Sequence, residues 1–323
     1  MRQVFLDFQK QFEYQPIIEN KKTYKKSDRF IVLGMGGSAQ AQGIINSVAP
    51  NIHIITHKDY GLPAMSDKEL KQYLIIANSY SGNTEESLDG LKKAQQKKLN
   101  IIVIATGGKL ISFAKKNNLP YIQMPNFGIQ PRCALGFNTL AMLKAMNQNK
   151  LYKELSTLAT TLKGKSYETR GKKLAKSLKN KVPVIYASTN NEILAYLWKI
   201  KFNETGKIPA FYNVLPEMNH NEMTGFDVAT TTKSLSKNFS FIFIHDDNDH
   251  KQIQKRMQVM DKLYKKRKLP VTNLKLSGKN KWFQIFASAL TADWAAYYTS
   301  QGYGLESEQV PMVEDFKKIL AKS

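Results

Sequence analysis

Residues 74–87 read LIIANSYSGNTEES: an apolar run from Leu74 to Ala77, then Ser79, Ser81, Gly82 and Thr84, then the acidic start of a polar stretch. A short continuous apolar run bounded by turn residues fits a strand buried on both faces. The residues after it, about Glu85–Lys98, read as a helix. The same order occurs upstream, where Phe30–Leu33 runs into Gly34-Met35-Gly36-Gly37-Ser38 and a helix follows through Val48. Ile52–Thr56, Ile101–Ala105 and Tyr121–Met124 are further strands, with helices at about Leu110–Asn117 and Ala134–Asn147. Strands alternating with helices predict a parallel sheet covered by helices.

Residues 161–181 differ, with eight Lys or Arg and one acidic residue. They read as a basic connection, partly an amphipathic helix through Leu174 and Leu178. The alternation then restarts: strands at Val182–Ala187, Phe239–His245 and Val271–Leu276, helices at Asn191–Phe202 and residues 248–268, 281–300 and 311–321. Ile253, Met257, Met260 and Tyr264 share one face of the 248–268 helix. The expectation is an α/β chain of two doubly wound domains, 1–155 and 182–323, joined by 156–181.

The 323 residues contain a single cysteine, Cys133, so no internal disulfide is possible. The composition fits a reducing compartment, and a cytoplasmic location is expected. Apolar runs such as Ile101–Ala105 fall far short of the roughly twenty residues a membrane span needs. The amino terminus, MRQVFLDFQKQFEYQP, carries charges where a secretory leader is apolar. These features exclude a disulfide-stapled module, an integral membrane protein and a disordered chain. The net charge of +22 invites a polyanion. It is spread over helix faces, however, which reads as a solvated surface around a site for a small anion, with neither nucleic acid nor membrane as partner.

Two loops carry chemistry. Glycines at 34, 36 and 37 between strand and helix allow close backbone approach, and the helix start offers free N–H groups to an anion. The run lacks the third glycine of the dinucleotide fingerprint, where Ala39 stands, and the Gly-Lys-Ser/Thr of a P-loop. A tight strand–helix turn is the competing explanation. The hydroxyls of Ser79, Ser81 and Thr84 can surround a phosphate at a helix N-terminus. Helix capping is the competing explanation and accounts for one hydroxyl, not three.

Strand–Ser-x-Ser-Gly-x-Thr–helix resembles the phosphate loop of the sugar isomerase (SIS) superfamily. Within it the chain is similar to the bifunctional phosphoglucose/phosphomannose isomerases. The motifs GMGGS (34–38), SYSGNTEES (79–87), PRCALGF (131–137), NETGKIPA (203–210) and PEMNHNE (216–222) stand in that family's order. The resemblance implies two flavodoxin-like SIS domains and an aldose–ketose isomerase of carbohydrate metabolism (glycolysis and gluconeogenesis). Such an enzyme interconverts glucose 6-phosphate and mannose 6-phosphate with fructose 6-phosphate by ring opening and an enediol. It further implies phosphate contacts from Ser38, Ser79, Ser81 and Thr84, a substrate loop at Gly36 and Gly37, and Glu204 as the base between C2 and C1. His220 would be the ring-opening acid/base, supplied across a homodimer; Arg132 would stabilise the enediolate. Lys317, with Lys318 as its rival, would assist ring opening. No cofactor or metal is implied.

The carboxy-terminal part departs from that pattern. The family's Thr-containing loop before the last helix, which leaves room for both C2 epimers, is replaced by Gly304-Leu305-Glu306-Ser307-Glu308-Gln309-Val310-Pro311. His245-Asp246-Asp247-Asn248-Asp249-His250 carries metal-ligand types but reads as a solvated loop and helix cap. The alternatives are a non-catalytic phosphosugar-binding regulator and an SIS isomerase for another sugar phosphate.

Overall fold

A computed structural model describes residues 1–320; residue 321 of the expected last helix lies outside them. The chain divides into two compact units, one of residues 6–163 and the other of residues 1–5 and 164 onward.

In the first unit five strands, β1 (Arg29–Leu33), β2 (His53–His57), β3 (Leu74–Asn78), β4 (Asn100–Ala105) and β5 (Tyr121–Gln123), form a parallel sheet in the order β2-β1-β3-β4-β5. Every residue of β3 is buried, as its unbroken apolar run demands. Helices α1 (Ala41–Val48), α2 (Glu85–Gln96), α3 (Gly108–Lys116) and α4 (Leu135–Ala145) cover the sheet. Ile31, Ile75, Leu91, Val103 and Leu110 share one of its cores. The strands follow the sequence expectation to within one or two residues at each end.

The second unit has four parallel strands, β6 (Val182–Ser188), β7 (Phe211–Leu215), β8 (Phe239–His245) and β9 (Val271–Lys275), in the order β7-β6-β8-β9. Its helices include α5 (Glu168–Ser177), α6 (Glu192–Glu204), α7 (Glu222–Gly225), α8 (Lys251–Lys266), α9 (Lys281–Gly302) and α10 (Pro311–Leu320). Tyr186, Phe241, Met257, Met260 and Tyr264 pack together beneath α8. Strand β7 was not anticipated: it is a half-exposed edge strand with too few buried positions to stand out.

The stretch 156–181 is not a connector. The units divide between Lys163 and Gly164, and α5 packs as a helix of the second unit with Glu168, Gly171, Leu174 and Ala175 buried. Its lysines occupy the outer face, which is why composition alone suggested a linker. Residues 1–5 join the same unit, with the Phe5 ring edge-on to Trp294 at 5.4 Å and Arg2 ion-paired to Glu168 at 3.0 Å.

Candidate active site

In a doubly wound sheet the ligand crevice opens at the carboxyl ends of the strands where the chain reverses its direction of winding. In the first unit that point lies between β1 and β3, and the two loops flagged by sequence leave those strands. Ser38 is buried and its hydroxyl accepts the Tyr80 N–H at 2.8 Å. The Asn78 side chain donates to the Ser38 carbonyl at 2.8 Å and to Asn138 Oδ1 on α4 at 2.9 Å. The glycine loop and the hydroxyl loop are therefore one hydrogen-bonded body.

Thr84 occupies the N-cap position of α2, yet its side chain caps nothing. Instead its hydroxyl lies 2.7 Å from that of Ser79, which also accepts the Gly82 N–H at 3.1 Å. Gly82 has φ +72°, and a Cβ there would stand 1.9 Å from the Gly107 carbonyl oxygen, so only glycine fits. Ser81 is at the exposed rim and accepts the Asn83 N–H at 3.3 Å. Gly36 is exposed, with open space around it.

Arg132 belongs to the same body. It sits in the turn Pro131–Cys133, is almost fully buried, and donates to Gln130 Oε1 at 3.4 Å. A Cβ on Gly37 would come within 3.0–3.1 Å of the Pro131 and Arg132 backbone, so the missing side chain lets the glycine loop lie against the arginine turn. Gln11 fixes that turn by donating to the Cys133 carbonyl at 2.8 Å and accepting the Gly136 N–H at 2.9 Å. Sequence reading missed Tyr80. Its hydroxyl is buried without a hydrogen-bond partner among the described residues, and burial, with Cys133 nearby, pushes it up to about 12. An aromatic between two loop serines was the available signal.

In the second unit Glu204 is the last residue of α6 and is half-buried. The helix end is anchored beneath it by an ion pair of Lys201 with Asp293 of α9, 2.7 Å apart and wholly buried. The Lys207 ammonium donates to the Glu204 carbonyl at 2.8 Å and to the Gln309 carbonyl, tying this helix end to the stretch that leads into α10. His220 ends the short turn Glu217–His220 and is exposed. Lys317 and Lys318 are both exposed on α10, each paired with an acid three residues back, Glu314 at 2.8 Å and Asp315 at 3.6 Å.

The run from His245 to His250 proves different from a solvated loop. Asp246 and Asp249 are buried at the corresponding point of the second sheet, between β6 and β8. Lys281 donates to Asp246 at 2.5 Å and to Asn191 Oδ1 at 2.6 Å, and Ser188 donates to Asp249 at 2.6 Å. Burial raises Asp249, Ser188 opposes it, and the Asp246 charge adds to it, leaving it above the usual carboxylate range. Burial acts the same way on Asp246, but hydrogen bonds from Lys281 and the Asn248 N–H bring it below. His250 does cap α8, accepting the Gln252 N–H. Among the described residues no group of three or more His, Cys, Asp or Glu is placed to hold a metal. The place a phosphate would take in the second sheet is thus filled by the chain's own carboxylates and ammonium.

A family profile described as the bacterial phospho-glucose isomerase C-terminal SIS domain matches residues 167–320. Over 97% of its length the chain is 32% identical to a bifunctional phosphoglucose/phosphomannose isomerase of Caldicellulosiruptor bescii, covering 96% of that protein. A protein of the same name from Aquifex aeolicus is 30% identical over 98% of the chain and 96% of its own length. A crystal structure of a glucose-6-phosphate isomerase like protein from Thermus thermophilus covers 98% of the chain and 94% of its own, with a TM-score of 0.62 and 12% identity, a likeness of fold.

Proposed function

Because this chain belongs to the bifunctional phosphoglucose/phosphomannose isomerase family, we propose that it interconverts glucose 6-phosphate, and mannose 6-phosphate, with fructose 6-phosphate. The observation that carries this reading is the paired Ser79 and Thr84 hydroxyls at the open N-terminus of α2. Neither is spent on capping, and a twelve-residue helix directs its positive end at a dianion there.

In this mechanism Ser38, Ser79, Ser81 and Thr84 hold the phosphate, with the Gly36–Gly37 backbone beside it. His220 takes the C1 hydroxyl proton and passes one to the ring oxygen as the C1–O5 bond breaks, which leaves the open-chain aldehyde. The Glu204 carboxylate removes the C2 proton and the C–H electrons form the C1=C2 bond while O1 gains a proton; the O2 hydroxyl then gives up its proton as Glu204 delivers one to C1, leaving the C2 ketone. Arg132 stays charged and stabilises the enediolate oxygens, and Lys317 assists ring opening. An enediol route requires no metal.

His220 is exposed on its own chain, which supports a homodimer in which each histidine serves the partner's substrate. Among the described residues no helix is long and apolar enough to cross a membrane; the enzyme is proposed to act in the cytoplasm. Purified, chelator-treated protein should convert fructose 6-phosphate to glucose 6-phosphate in a coupled assay, and a side-by-side assay with mannose 6-phosphate reads the epimer range. Absence of both activities, with steep salt-dependent binding to duplex DNA, would favour a phosphosugar-binding regulator instead. Preference for glucosamine 6-phosphate would favour an isomerase of another sugar phosphate.

A further inference from the structure

We infer that Glu222 is a positioning residue that holds His220 in place for ring opening; this rests on the isomerase reading. The His220 imidazole has no hydrogen-bond partner among the described residues and projects from a short turn, so its placement depends on its neighbours. Those neighbours are bound on both sides. Asn219 Oδ1 accepts from Arg256 of α8 at 3.3 Å, and the Asn221 amide donates to Glu217 at 2.8 Å while its Oδ1 accepts the Glu222 N–H at 2.6 Å.

The strongest of these ties is Glu222. One carboxylate oxygen accepts the Tyr186 hydroxyl of β6 at 2.5 Å, and the other accepts the Asn213 side chain of β7 at 2.6 Å. Two adjacent strands thereby grip the segment two residues beyond the histidine. Tyr186 is itself fully buried, stacked on Phe241 and close to Tyr264, so the anchor cannot follow a moving loop. Both contacts lie at the short end of the hydrogen-bond range. The arrangement presents an imidazole outward on a fixed base, which is what a residue acting on a separately bound sugar requires.

The test uses the full-length enzyme with glucose 6-phosphate deuterated at C2. Wild type should show a primary isotope effect on kcat, the sign of C2 proton removal as the slow step. Glu222→Gln should keep KM near wild type and remain folded, melting lower by roughly 3–10 °C, while kcat falls about 10²-fold, the cost of an ångström-scale misplacement. Its isotope effect should shrink towards unity as ring opening becomes limiting. Tyr186→Phe, which removes one of the two ties, should shift both quantities the same way, with kcat down about tenfold.

A folded Glu222→Gln enzyme with wild-type kcat, or one with lower kcat and an undiminished isotope effect, overturns the assignment. If that variant does not fold, Tyr186→Phe decides: unchanged kcat and isotope effect overturn it. A wild-type chain that turns over no sugar phosphate overturns the isomerase reading itself, which separates the two failures.

Discussion

The Ser79 hydroxyl stands 2.7 Å from the Thr84 hydroxyl at the start of α2, and neither is engaged in capping that helix. Two small donors held this closely, beside backbone N–H groups and a helix N-terminus, suit a phosphate that accepts several hydrogen bonds at once.

Removing either hydroxyl should therefore weaken ligand binding without disturbing the fold. A hydrogen bond to a charged group contributes about 1.5–3 kcal/mol, so Ser79→Ala and Thr84→Ala should each raise the Kd for fructose 6-phosphate by roughly tenfold or more. Titration calorimetry with one sugar phosphate per chain checks this, because Asp246 and Asp249 leave no anion site at the corresponding point of the second sheet. A Kd unchanged in both variants, or two phosphosugars per chain, would count against the assignment.

Lys201 and Asp293 form an ion pair with no exposure on either side, beneath the end of α6 that carries Glu204. Breaking a buried pair from one side leaves an uncompensated charge and costs about 3–5 kcal/mol. Lys201→Met and Asp293→Asn should each lower Tm strongly. The double variant Lys201→Met/Asp293→Leu should recover most of the loss, since two apolar groups leave no charge behind. A double variant as unstable as the singles would show that the pair's packing, not its charge balance, matters.

Glu168 joins residues 1–5 to α5 and α9. Hydrogen bonds from Lys165 and Tyr298, and then the Arg2 pair, outweigh burial and hold its carboxyl at about 2, below the ordinary 4.5. A depressed acid contributes stability that is complete above about 4.5 and is lost as pH falls through about 2. Glu168→Gln should thus lower Tm at pH 7 by roughly 3–10 °C, and the two melting curves should converge near pH 2. A difference that persists unchanged into acid would contradict this origin.

Much of the first unit could be read from residue order. The run from Leu74 to Ala77 is apolar throughout because β3 is covered on both faces, and its hydroxyl loop sits where the winding reverses. What stayed hidden depends on partners distant in the chain. Asp246 and Asp249 looked solvated because acidic runs usually are; Lys281, 35 residues beyond Asp246, makes their burial tolerable. The lysines of α5 concealed its few inward residues, Gly171, Leu174 and Ala175. The β7 edge strand has only Leu215 fully buried. Glu204 and His220 could be named only through their motifs, and Lys201, beneath Glu204, stands outside any motif because its buried partner Asp293 lies on another helix far along the chain.

In the proposed mechanism Glu204 carries a proton from C2 to C1 of the bound sugar phosphate. Glucose 6-phosphate deuterated at C2, incubated with the enzyme and read by NMR, tests it directly. Wild type should form fructose 6-phosphate with part of the deuterium at C1. Glu204→Gln should retain phosphosugar binding while losing roughly 10²–10⁴ in rate. Deuterium transfer at the wild-type rate in the Glu204→Gln enzyme would contradict the account.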